Sequence, residues 1–243
     1  MIEQIKPYLF SLVAALIALT VQEFCHGYIA YKLGDNTARN LGRLSLNPLH
    51  HLDIFGVICM VLFHFGWAKP VPINARNFKN PKRDFALTAL AGPLSNITIA
   101  FLSTPIFLSC FYLTYIDTDS AFVQSLILNT ITFFQYFVII NLGLGVFNLI
   151  PLPPFDGSRI VNVLLPERIY FRIMKYERKI YLGVLVWLFF GGYVYNALLL
   201  VPFVSNSVIL STAFRIFDLS SLISNGVSYL YQAFFNFWKL IIF

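Results

Sequence analysis

Residues 9–31 read LFSLVAALIALTVQEFCHGYIAY. This apolar run is long enough to cross a hydrocarbon core of about 30 Å as one helix, yet it holds Gln22, Glu23 and His26 near its end. An ionisable group inside a span costs roughly 2.5 to 3.5 kcal/mol on insertion scales, so Glu23 and His26 need specific partners. On a helix, positions 22 and 26 are spaced i,i+4 and positions 23 and 26 i,i+3, so all three side chains share one face.

The rest of the chain repeats the membrane pattern. Of its 243 residues, 58% are hydrophobic and only 12% charged, a balance outside the range of soluble domains. Further spans are expected over residues 85–113, over 121–150 with a break at Pro151, Pro153 and Pro154, and over 181–203. The tail at 219–243 reads as a fifth span or an interfacial helix, since Tyr229, Tyr231, Phe234, Phe235 and Trp238 suit a headgroup belt. Residues 54–67 are too few for a span. Around them, LGRLSLNP alternates apolar and polar residues and WAKPVPIN carries two prolines, so a strand or hairpin region is expected between the first two spans.

Charge orients these elements. Residues 32–83 hold eight Lys/Arg and residues 159–179 hold six, whereas the loop at 114–120 holds only Asp117 and Asp119. Positive loops face the cytoplasm, which puts both basic segments inside and the N-terminus outside. The basic residues form no comb along a groove, so nucleic acid is excluded as a partner. Cys25, Cys59 and Cys110 all lie in apolar stretches, make no CxxC pair and read as small buried hydrophobes. The first run carries Glu23 and His26 where a signal peptide would carry a small-residue cleavage site, so it is expected to stay as a span.

Two constellations carry chemistry. Gln22-Glu23-x-x-His26 is an H-E-x-x-H helix with glutamine at the first histidine. In the full motif two histidines hold zinc and the glutamate deprotonates its bound water; the alternative is a polar helix face hydrogen-bonded within a bundle. The string NLIPLPPFDG at 148–157 places Asp156 just after a proline-broken span. Irregular backbone at membrane depth is tolerated only where it is buried in protein or lines a wet cavity. Asp156 is therefore a candidate oxygen ligand from a second span, the alternative being an ordinary helix-ending turn.

Taken with AGPLSN at 91–96 and the connecting text LGRLSLNPLHHLDIFG and WAKPVPINARNFKNPKR, these motifs resemble the site-2 protease family of intramembrane zinc metalloproteases, peptidase family M50, in its short bacterial branch. The resemblance covers residues 9–163. It implies an all-α polytopic membrane protein with a three-helix catalytic core over residues 1–165 and a small membrane-associated β-hairpin region. Residues 166–243 would add a basic cytoplasmic segment and one or two C-terminal helices. It also implies Glu23 as general base, His26 and Asp156 as zinc ligands, Asn96 near the substrate or oxyanion, and Gly92 and Pro93 for close helix approach. The substrate would be a transmembrane protein segment, clamped by strand addition at 41–46 and cut from the cytoplasmic side.

Gln22 departs from that pattern. A neutral amide oxygen is a poor zinc ligand beside imidazole, so zinc binding is expected to be weakened. His50 and His51 are candidate substitutes; the alternative for both, and the reading for His64 near the membrane edge, is an ordinary loop histidine. Three readings stay open: an impaired protease, a pseudoprotease that binds transmembrane clients, and a transporter using midplane polar groups.

Overall fold

The computed structural model describes residues 2–56, 58, 68–115, 120–207, 209–210, 212 and 218–242. Cys59, His64, Asp117 and Asp119, and most of the short apolar stretch at 54–67, lie outside the described residues. The order is α1 (Ile2–Lys32), α2 (Thr37–Asn40), α3 (Pro81–Leu113), α4 (Ala121–Asn148), α5 (Asp156–Asn162), α6 (Glu167–Leu199), α7 (Pro202–Ser205) and α8 (Leu219–Ile242). Among the described residues, α1, α3 and α4 are long and apolar enough to cross a membrane.

α1 ends where the sequence supplies a left-handed residue. Gly34 has φ 109°, the Asp35 N–H donates to Ala30 O at 2.9 Å and the Gly34 N–H to Tyr31 O at 3.1 Å, the paired bonds of a Schellman cap. α3 starts with Pro81 at its first position, and the buried Asp84 carboxylate reaches back to accept the Asn80 N–H at 3.0 Å. α3 is the hub, packed against α1, α4, α5 and α8. Small residues let the backbones come close: Ala14, Ala18 and Ala100 are fully buried, and a Cβ on Gly145 of α4 would stand 2.7 Å from Ile97 and 3.2 Å from Pro93 O of α3.

A proline sets the seat of α8. Pro105 inside α3 has no N–H, so Phe101 O loses its helical donor. The Trp238 indole N–H takes that place at 2.9 Å, and the Phe101 ring sits among Phe234, Phe237 and Trp238 with centroids 5.1 to 5.3 Å apart. Trp238→Phe is expected to cost about 1 kcal/mol in thermal unfolding. In a Pro105→Ala background, where the backbone donor is restored, the same change is expected to cost less than half as much. Equal costs in the two backgrounds would refute the pairing.

The expected hairpin between α1 and α3 is reduced, among the described residues, to one isolated antiparallel bridge between Leu52 and Ala68, with the Lys69 N–H donating to His51 O at 2.8 Å. Pro48, Pro70 and Pro72 donate no ladder bonds, which keeps the flanking chain out of a sheet. Residues 41–46, the expected clamping edge, are a turn and irregular chain. The basic segment after residue 166 forms the first half of α6, continuous with the apolar run. Cys25 and Cys110 are free and half-buried rather than fully buried.

What fixes the irregular segment 68–80 is Asp35. Its carboxylate accepts from the Thr37 hydroxyl at 2.5 Å and the Thr37 N–H at 3.1 Å, from the Asn74 N–H at 2.7 Å and from the Asn77 amide at 2.7 Å. Burial works against its charge, but the bonds from Thr37, Asn74 and Asn77 outweigh it and hold the carboxyl below its usual range. Asp35→Asn is expected to cost about 1–3 kcal/mol at pH 7, since the donors lose a charged acceptor. A depressed carboxyl stabilises above its unfolded pKa and loses that contribution as pH falls through the folded one. Unfolding midpoints of the two proteins should therefore converge below about pH 4; a gap unchanged down to pH 3 would contradict this.

Candidate metal centre

Two helices, α3 and α5, and one loop converge on the polar face of α1. Gln22 and His26 are buried, and Asp156, the first residue of α5, comes from 130 positions away to place its Oδ2 3.2 Å from His26 Nε2. The proline-broken turn delivers it: Phe155 stacks edge-on against Phe147 at 4.4 Å. Gly157 packs so tightly that a Cβ would stand 2.2 Å from Leu149 O. Gly92 of α3 opens the other side, because a Cβ there would lie 2.2 Å from His26 Nε2 and 2.8 Å from Gln22 Cγ.

The protonation of His26 follows from its neighbours. Its Nδ1 lies 2.8 Å from Thr88 O, and a carbonyl only accepts, so Nδ1 carries hydrogen. Nε2 then faces the Asp156 carboxylate, and two lone-pair donors at 3.2 Å need a cation between or on them. A proton makes this an ion pair; a metal ion makes both atoms ligands, for two ligands about 2.0 Å from a tetrahedral zinc stand roughly 3.3 Å apart. The bond from the far ring nitrogen to a backbone carbonyl is the support that metal-bound histidines use. The spacing of His26 Nε2 and Asp156 Oδ2 thus fits a bound cation.

The third position does not match them. Gln22 Oε1, at the place of the first histidine, accepts a hydrogen bond from Asn96 Nδ2 at 2.8 Å. Asn96 is fully buried and its Oδ1 has no partner among the described residues. His50 and His51 do not close the gap: their ring nitrogens bond Gly42 O at 3.1 Å and Ser45 O at 2.7 Å. Among the described residues no group of three or more His, Cys, Asp and Glu could hold a metal.

Glu23 sits one turn before His26 on the same helix, and its Oε2 accepts the Val71 N–H at 2.7 Å. The segment anchored by Asp35 therefore lies over the glutamate. Val71 and Thr88 act here through backbone atoms, which no side-chain motif announces. The signal for Val71 was its place between Pro70 and Pro72, neither of which offers an N–H.

Taken together, these contacts define a polytopic membrane protein with a histidine, a carboxylate and a glutamate converging inside its helical bundle. Residues 10–191 match the family model described as Peptidase family M50, and the chain belongs to that family. It is 40% identical over 174 residues, 71% of this chain and 76% of the relative, to YwhC of Bacillus subtilis (strain 168). It is 28% identical over 156 residues, 63% of this chain and 73% of the relative, to MJ0611 of Methanocaldococcus jannaschii. With Rip2 of Mycolicibacterium smegmatis the identity is 29% over 154 residues, and the chain spans 55% of that relative's length. All three carry the name "Putative zinc metalloprotease". No solved structure matches the chain.

Proposed function

We propose that this chain is an intramembrane zinc metalloendopeptidase that hydrolyses peptide bonds of transmembrane protein substrates, with its rate limited by Gln22. The observation that carries this reading is the 3.2 Å approach of His26 and Asp156 from separate elements, with Glu23 one turn away. His26 and Asp156 would hold the zinc, which supplies Lewis acidity to water and to the peptide carbonyl. Glu23 takes a proton from the attacking water and passes it to the leaving amine nitrogen. It can do so through Oε1 while Oε2 keeps the bond from the Val71 N–H. Asn96 hydrogen-bonds the substrate carbonyl after giving up its bond to Gln22.

Residues 1–165 serve as the catalytic unit in this reading, and 166–243 as the basic segment and C-terminal membrane helices. The Lys/Arg asymmetry supports an active site toward the cytoplasm of a multi-pass cell-membrane protein. Labelling of a cysteine placed at Lys82 or Lys175 by an impermeant reagent on intact cells would reverse that orientation.

A second reading is a client-binding protein that does not cut. It is favoured by the way the polar groups satisfy one another, Gln22 with Asn96 and Glu23 with Val71. The unmodified chain in detergent, given a transmembrane model substrate, decides between them. Slow cleavage that rises with added zinc and stops with a chelator is expected. Binding of the substrate with no cleavage at any zinc concentration would establish the second reading.

A further inference from the structure

The first half of α6 has two unlike sides. Arg168, Arg172, Lys175 and Lys179 recur at i, i+4, i+7 and i+11 and fall within an arc of about 60° on the helix. All four are exposed. Glu177 falls on the opposite side, where it pairs with Arg159 of α5, and the Arg159 guanidinium lies 5.3 Å from the ring of Phe85 in α3. The ion pair and the ring contact therefore turn the basic arc away from the protein body.

The same contacts set its height. Residue 177 stands level with Phe85, at the first turns of α3, and α6 runs on from there into the apolar stretch 181–199. The basic arc thus meets the zone where polar surface gives way to hydrocarbon. Lys175 and Lys179 both lie over the ring of Tyr176, at 5.9 and 5.7 Å, and Tyr176 and Ile169 beside the arc are more than 40% exposed. Aromatic and apolar side chains flanking long basic ones are the pattern of a helix at a lipid interface.

We infer that this face of α6 binds the phosphate-bearing headgroups of anionic phospholipids at the membrane surface. Charge complementarity and depth select this partner: four cations in one short arc face the layer in which headgroup phosphates lie, and neighbouring apolar side chains can contact the acyl chains. Each basic side chain near such a surface is worth about fivefold in affinity.

The full-length chain in detergent, titrated with phosphatidylglycerol or phosphatidylcholine and followed by native mass spectrometry, tests this. At least tenfold preferential retention of phosphatidylglycerol is expected, and the variant R168Q/R172Q/K175Q/K179Q should retain both lipids alike. Lys32, Lys69, Arg76 and Lys79 replaced together by Gln, the comparison set from the other basic segment, should change the preference less than twofold. Should the quadruple variant not fold, K175Q/K179Q is read instead, with a loss of at least fivefold expected, while R168K/R172K keeps the preference. Inorganic phosphate at millimolar concentration should not displace the lipid. An unchanged preference in the α6 variants, an equal loss in the comparison set, or displacement by phosphate alone would each overturn the assignment.

Discussion

Gln22→His is expected to raise cleavage of a transmembrane model substrate in detergent at least about 100-fold over the unmodified chain. The change turns the donor set from His26 and Asp156 into three ligands, the number that a catalytic zinc site takes from its protein. Loss of a mere supporting contact to a ligand costs about 10- to 100-fold in metal affinity or activity, so restoring a ligand itself should gain at least that much. Gly92 lets α3 pack directly against both positions, since a Cβ there would stand 2.2 Å from His26 Nε2 and 2.8 Å from Gln22 Cγ. Asn96 loses its partner in the exchange, since Gln22 Oε1 now accepts its amide at 2.8 Å, and becomes free to face the substrate. A rate in Gln22→His equal to that of the unmodified chain would show that the amide is not what limits hydrolysis.

In that restored background, Glu23→Gln is expected to reduce cleavage by about 100- to 10,000-fold, the contribution of a positioned general base, while bound zinc stays at the level of the parent. The two readouts separate because Glu23 accepts its hydrogen bond from the Val71 N–H, whereas the close pair that would hold zinc is His26 and Asp156. A glutamine keeps the acceptor for Val71 and so keeps the loop in place, yet it cannot carry away a proton at neutral pH. Loss of zinc together with activity would instead make Glu23 a ligand or a folding element.

Much of this architecture is legible in residues 9–31 and 148–157. A polar face inside an apolar run and a proline-broken span each advertise a cost that only a partner offsets, and the two meet at 3.2 Å. Other features are hidden for physical reasons. The pairing of Gln22 with Asn96 joins residues 74 positions apart; each residue stands out alone, but their contact depends on how α1 crosses α3 at Gly92. Val71 and Thr88 contribute only backbone atoms, which every residue has. The hairpin expectation rested on alternation in LGRLSLNP, and the prolines that also stand in these segments withhold the donors a ladder needs. The helical nature of the basic segment is readable from the i,i+4 and i,i+3 spacing of Arg168, Arg172, Lys175 and Lys179.

In the proposed reading His26 and Asp156 are two ligands of a zinc site whose third is missing at Gln22. Zinc affinity, measured by competition with a chromophoric chelator on the purified unmodified chain and on Gln22→His side by side, tests it most directly. Weak binding is expected in the first and one zinc per chain held at least about 100-fold more tightly in the second. One zinc per chain bound equally tightly by both proteins would contradict it.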